Sequence, residues 1–250
     1  MVFSALDGTG GAGIVADCRA VSAAGALPLA VATGITAQNL DGVSQFWPVP
    51  SSRVRAQIAA LRNAKIAACK IGVTGVAAVV VAENAPPAAK VVWDPVLSPT
   101  GGAPFADAKQ KRRMLKFLLP RADMITPNRR ELAELSGRDS VADGARALLD
   151  GGARMVLATD TREGARVRHE LYAADSARPL WRAECRRRRG EYHGGGCFFS
   201  ATLAARLARG DSPSAAADFA HRATLAAIDS ALRLPSLGAQ RLPIPAPIAP

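Results

Sequence analysis

Apolar and polar positions alternate in blocks along the chain, and the blocks predict strands and helices in turn. Residues 2–6 predict a short strand that runs into the turn Asp7-Gly8-Thr9-Gly10-Gly11. Residues 12–24 predict a helix with Ile14, Cys18, Val21 and Ser22 on one face, stopped by Gly25 and Pro28. A second strand follows from Leu29 and ends at Thr36-Ala37-Gln38-Asn39. The same order then repeats. Helices are predicted at 54–61, 74–82, 109–119, 130–135 and 141–149, and extended segments at 66–71, 90–93, 124–125 and 155–157. Residues 171–173 and 180–185 predict an antiparallel edge, and helices at 197–208 and 214–232 close the domain. Strands alternating with helices specify an α/β protein with a mostly parallel central sheet between two helix layers.

Prolines at alternate positions make residues 241–250 an extended or disordered tail. The expected organisation is one domain over 1–235 and a Pro-rich tail over 236–250.

At 250 residues with 49% hydrophobic content, the chain supports one large core. No apolar run approaches the ~18 residues of a spanning helix, and the start lacks the pattern of a secretory signal. A cytoplasmic protein with no membrane partner is expected. The net charge of +11 suits nucleotides, phosphorylated metabolites and nucleic acid equally, so it does not choose among them. Arg186–Arg189 has no interleaved aromatics, which argues for a solvated turn over a nucleic-acid surface. Cys18, Cys69, Cys185 and Cys197 show no CxxC spacing, and His169, His193 and His221 are dispersed. Neither a disulfide framework nor a His-based metal centre is expected.

The candidate chemistry lies at glycine clusters and strand ends. His193-Gly194-Gly195-Gly196-Cys197 opens a predicted helix. Its backbone N–H groups and the helix dipole would cradle an anion, and the thiol pKa is expected to fall there. Gly8–Gly13 satisfies GxGxxG, but the acid that reads a ribose is missing until Asp41, and no Gly-Lys pair allows a Walker A loop. Asp94, at a strand end before Pro95, fits either a Mg²⁺-polyphosphate contact or a simple turn. Asn128 and Glu131 fit a helix capping box as well as a site.

Taken in order, these segments resemble the hydroxymethylpyrimidine/phosphomethylpyrimidine kinase family of the ribokinase-like superfamily. The motifs are Leu6-Asp7-Gly8-Thr9-Gly10-Gly11-Ala12-Gly13-Ile14 through Asp17, Thr36-Ala37-Gln38-Asn39, Lys70-Ile71-Gly72, Asp94-Pro95-Val96, Thr126-Pro127-Asn128 with Glu131, and 193–197. The resemblance implies a three-layer α/β/α ribokinase-like fold and ATP- and Mg²⁺-dependent phosphorylation of 4-amino-5-hydroxymethyl-2-methylpyrimidine, and of its monophosphate, for thiamine diphosphate synthesis. It also implies a homodimer.

By resemblance, Cys197 is the catalytic thiol, where related sugar kinases have Asp, and Gly194, Gly195 and Gly196 are the cradle. Asp17 and Gln38 would approach the pyrimidine, with Ala5, Thr36 and Val73 lining its pocket. Asp94, Asn128, Glu131 and Thr159 would surround the nucleotide, with Asp94 and Glu131 near the metal. Some positions depart from the pattern. Gly195 replaces a Thr or Ser, Phe198 replaces a Thr and would set a ring beside the phosphates, and Ala158-Thr159-Asp160 lacks a frequent lysine. Ala5 stands where Gly is common, and Gly8 where Pro or Ser is. Two other readings stay open: a pyridoxal or pyridoxine kinase, and a pyrimidine-binding relic without catalysis.

Overall fold

The computed structural model describes residues 1–99, 101–161 and 164–245. Its centre is a nine-stranded sheet. β1 (Val2–Leu6) pairs in parallel with β2 (Ala30–Gln38) on one side and β4 (Ala68–Ile71) on the other. Parallel pairing continues through β5 (Lys90–Trp93), β6 (Met124–Ile125) and β7 (Met155–Ala158). These short strands are nearly continuous apolar runs, as strands covered on both faces must be.

Antiparallel strands finish both edges. β8 (Arg166–Ala173) and β9 (Trp181–Arg186) follow β7, at the edge the sequence pattern predicts. At the far side β3 (Val43–Pro48) returns against β2, and no strand was expected there. Its alternation is poor: Ser44, Gln45 and Trp47 are exposed and none of its residues is buried. Its position comes from pairing with β2, not from a buried face of its own.

Helices cover both faces. α2 (Ser51–Ala60), α3 (Ala78–Asn84), α4 (Ala108–Phe117), α5 (Arg129–Ser136) and α6 (Val141–Asp150) enclose the larger core around Trp93, Ile71 and Val156. α1 (Gly13–Ala23), α7 (Gly195–Ala208) and α8 (Pro213–Asp229) cover the other face. On α1 the buried stripe is Ala16, Asp17, Ala20 and Val21, displaced from the face expected around Ile14, Cys18 and Ser22. Small side chains let α1 press against α7, and a buried Asp17 needs a cation that hydrophobic periodicity does not register.

The C-terminal segment does not trail away as far as it is described. Leu232–Arg233 (β10) and Arg241–Leu242 (β11) form a small antiparallel ribbon. Leu40 N–H donates to Leu237 O at 2.7 Å, Arg241 N–H to Glu191 O at 2.9 Å and Ile244 N–H to Ala227 O at 3.1 Å. Leu242 is buried against Gly11 and the His193 ring. Residues 237–244 thus form a strap joining the β2–β3 loop, the loop before α7 and helix α8. The expectation for 246–250 lies outside the described residues.

Candidate active site

All the parallel strands end on one side, and the loops leaving them define a cleft there, where open α/β sheets bind ligands. The bend after β1 is built on Asp7. Its carboxylate accepts from the Thr9 and Ala12 N–H groups, each at 2.8 Å, and from the Thr9 hydroxyl. The bend before α7 lies directly against it. Gly194 has φ +82 and packs so tightly on the Gly11 carbonyl that any Cβ would overlap it. A side chain there is excluded twice, by dihedral and by contact.

α7 begins at Gly195, and its first return bond runs from Phe198 N–H to Gly194 O at 2.9 Å. The N–H groups of Gly195, Gly196 and Cys197 therefore have no partner within the helix, and they sit at the positive end of its dipole. Nothing lies within 4 Å of a Cβ placed on Gly195 or Gly196. Loss of the usual hydroxyl at 195 therefore leaves the backbone cradle intact.

A cavity of about 260 Å³ opens between the two bends. Ala5, Thr36, Gln38 and Val73 line it, as do Asp94, Asn128, Glu131, Thr159 and the whole 194–197 run. A second cavity of about 520 Å³ shares Thr126, Asn128, Thr159, Gly195 and Gly196 with the first and continues between β8, β9 and α8. The structure thus brings together every site residue read from the sequence except Asp17.

Asp17 corrects the sequence reading. It is fully buried, does not line the cavity, and faces Lys70 instead. Lys70 Nζ lies 2.9 and 3.0 Å from the two Asp17 carboxylate oxygens and 3.4 Å from Asp94 Oδ2. Ser200 on α7 donates to that same Asp94 oxygen at 2.9 Å. Burial alone would discharge the lysine, but Asp17, Cys197 and Asp94 overcome it and raise the Lys70 pKa. Burial pushes the Asp17 carboxyl up to about 6 against the pull of Lys70.

Cys197 requires a second correction. Burial pushes its thiol up to about 12; Lys70 opposes the rise, Asp17 and Asp94 add to it, and the Gly13 N–H bond to sulfur opposes it. The dipole does not win, because two carboxylates and a poorly solvated pocket surround the sulfur. A third correction concerns Phe198. Its ring is buried with Val2, Ala20, Val21 and Ala24, away from the phosphate cradle.

Asn128 and Glu131 do form a capping box, with bonds of 2.9 and 3.0 Å, and they line the cleft as well. Burial and then the charge of Asp94 push Glu131 up to about 8. The charge of Asp94 works against ionising Glu131, and a divalent cation held by both would relieve that repulsion, with its remaining ligands from water and phosphate.

Sequence reasoning named Asp7, Lys70 and His193 only as members of motifs, without a role of their own, and passed over Ser200. His193 Nε2 lies 2.8 Å from Asp7 Oδ2 and 3.0 Å from Gln38 Nε2, so the ring links both bends to the pocket wall. Burial works to raise Asp7, but hydrogen bonds from His193, Thr9 and Ala12 outweigh it and hold it below the usual carboxylate range. A lysine inside the apolar run Ala68-Cys69-Lys70-Ile71 was the available signal for a buried ion pair. Arg186–Arg189 is no free solvated turn either. Arg187 pairs with Asp160 at 2.6 and 3.0 Å, Arg188 pairs with Asp229 at 2.8 Å, and both arginines line the second cavity.

The fold and its cleft define a ribokinase-like α/β protein. Residues 7–243 match the family model described as phosphomethylpyrimidine kinase. A hydroxymethylpyrimidine/phosphomethylpyrimidine kinase of Haemophilus influenzae is 33% identical over 249 residues, covering 94% of this chain and 92% of the relative. A phosphomethylpyrimidine kinase from Clostridium difficile superposes with TM-score 0.76 at 27% identity, over 91% of this chain and 97% of that one. An ADP complex of Bacillus subtilis pyridoxal kinase gives 0.79 at 25% identity, over 97% and 95%. The chain belongs to the phosphomethylpyrimidine kinase family.

Lys70 should be the most sensitive buried position. Lys70→Met leaves Asp17 and Asp94 uncompensated, and urea unfolding should show a loss of about 3–5 kcal/mol. Adding Asp17→Leu to Lys70→Met should recover much of that loss.

Proposed function

We propose that this protein transfers the γ-phosphoryl group of ATP to the hydroxymethyl oxygen of 4-amino-5-hydroxymethyl-2-methylpyrimidine, and then phosphorylates the monophosphate again. One observation carries this reading: two joined cavities meet at Gly195 and Gly196, which open α7, and Cys197 lines the smaller one directly beside them.

The smaller cavity suits one aminopyrimidine. Ala5, Val73 and Phe105 supply apolar walls, and Thr36 and Gln38 supply polar edges. The Thr36 hydroxyl is committed to Leu6 O at 2.9 Å, so Gln38 is the side chain of this pair left to address the ring. An ionised Asp7 accepts the hydrogen bond of His193 Nε2–H, so the Gln38 carboxamide is best turned with its oxygen to the imidazole and its amino group to the cavity.

The larger cavity has room for the nucleoside, in keeping with the ADP complex of the Bacillus relative. The triphosphate then points at the α7 N-terminus, where N–H groups of 195–197 stabilise charge on the equatorial oxygens. Asp94 and Glu131 would hold Mg²⁺, whose charge, when bound, offsets that of the phosphates. The substrate oxygen attacks the γ-phosphorus, the bond to the β–γ bridging oxygen breaks to leave ADP, and the hydroxyl proton passes to Cys197 in its thiolate form, giving the neutral thiol.

The second alcohol that such a pocket suits is a pyridine one, given the pyridoxal kinase among its structural relatives. Mass spectrometry of products after incubation with ATP, Mg²⁺ and each alcohol separates the readings. The pyrimidine mono- and diphosphates are expected; turnover of pyridoxal alone would refute the pyrimidine assignment, and no product from either would leave a binding protein.

A thiol pushed up to about 12 is mostly protonated at neutral pH, so the accepting thiolate grows about tenfold per pH unit. Turnover should therefore rise with pH through the neutral range. Cys197→Asp, whose carboxyl is intrinsically far more acidic than a thiol, should move that rise to lower pH, and Cys197→Ala should cut kcat by about 10²–10⁴ while leaving pyrimidine affinity nearly unchanged.

We further propose a homodimer. Leu6, Ile35 and Trp47 stand side by side across β1, β2 and β3, at 39%, 46% and 50% exposure. Such an apolar row on an outer sheet face calls for a cover. In sedimentation velocity the wild type should run as a dimer and Trp47→Glu as a monomer.

A further inference from the structure

A triphosphate brings several negative charges into the two joined cavities, and the backbone donors of α7 meet only part of them. Among the described residues, no lysine or arginine lines the smaller cavity, and Lys70 is buried against Asp17 and Asp94. The larger cavity draws its lysine-or-arginine charge from one place: Arg186, Arg187 and Arg188, at the end of β9. Asp160 and Glu191 line the same cavity, so the three arginines leave its wall positive.

The arginines differ in where they are held. Arg188 is tied to Asp229, at the C-terminal end of α8, by bonds of 2.8 Å. Arg187 is tied to Asp160: Nη2 donates to Oδ1 at 2.6 Å and Nη1 to Oδ2 at 3.0 Å. Its Nε donates to Gly164 O at 3.0 Å, and its main-chain N–H to Ala165 O at 2.8 Å. Asp160 directly follows Thr159, which lines both cavities. Arg187 is therefore the arginine placed beside the junction.

The local backbone singles out the same pair. Asp160 has φ +48, and it is the one residue other than glycine in the left-handed region among the described residues. That conformation is unfavourable for a residue with a Cβ, and such outliers concentrate where a ligand is held. The two side chains grip each other fork to fork, which fixes the plane of the guanidinium. Both remain 42% exposed, so the pair is open to a ligand and not sealed beneath the wall. A guanidinium keeps its charge throughout the working pH range, and its planar donors match phosphate oxygens.

We propose that Arg187, held by Asp160, binds the phosphate chain of ATP beside the junction and draws the charged end of the nucleotide toward the N–H groups of α7. This rests on the larger cavity being the nucleotide site. Asp160 is a positioning residue: its bonds set the guanidinium in place before the nucleotide arrives.

The test is calorimetric titration with a non-hydrolysable ATP analogue at low and at high salt. Arg187→Ala should weaken the analogue about tenfold or more at low salt. The deficit should shrink at high salt, where screening removes what the charge contributed, and the pyrimidine KM at saturating ATP should not change. Arg187→Lys, which keeps the charge without the fork, should recover part of the affinity. Arg166→Ala removes a positive charge from β8, where Arg166 pairs with Glu184 and lines neither cavity, and should leave the affinity as it is. Unchanged affinity in Arg187→Ala, a deficit of the same size at high salt, or an equal loss in Arg166→Ala overturns the proposal and leaves the kinase reading standing. Arg187→Gln decides the matter if Arg187→Ala does not fold. A wild-type protein that does not bind the analogue overturns the nucleotide reading itself.

Discussion

A single ammonium group organises the centre of this molecule. Lys70 reaches from β4 to Asp17 on α1 and Asp94 after β5, and Ser200 on α7 binds the same Asp94 oxygen. Four elements from separate parts of the chain are therefore tied to one point beneath the cleft. Burying these charges is costly, and it is tolerable only because each has its partner within ion-pair distance. The arrangement fixes Asp94, which opens to the cleft, and surrounds Cys197 with charge. The thiol's weak acidity follows from the same cluster, since two carboxylates and burial outweigh one lysine.

A steric constraint acts alongside the electrostatic one. The bends after β1 and before α7 touch backbone to backbone, which Gly194 permits and a residue with a Cβ would prevent. That contact aims the free N–H groups of α7 into the cavity and places the sulfur of Cys197 beside Gly13. His193 bonded to Asp7, Leu242 over Gly11 and the strap all clamp the same joint. Chemistry at the phosphate depends on donors being held still before the substrate arrives, and this joint supplies that rigidity.

Much of this was legible from residue order. The strands and helices from β1 to α8 fall close to their predicted positions because apolar runs, capping residues and prolines act locally. Asp94, Asn128 and Glu131 stood out because strand ends in an alternating pattern face one side, Thr159 entered only through the family resemblance, and all four line the smaller cavity. β3 was missed because its edge position depends on pairing, not on a buried face. Asp17 was assigned to the pocket, yet it turns away, because the partner it needs lies 53 positions later in the chain. Phe198 reads as a cleft residue by its neighbours, whereas helical geometry turns it toward α1.

The sequence by itself determined the alternation of elements, the glycine bends, the family and the residue types at each strand end, since these rest on local dihedral freedom and short-range pattern. Only the tertiary structure decided which groups lie within hydrogen-bond reach of one another. It placed Lys70 between two carboxylates, raised Cys197 instead of lowering it, and brought Arg187 to Asp160 on the wall of the larger cavity. Desolvation and charge–charge energies depend on distances between residues far apart in the chain, and those distances exist only once the chain has folded.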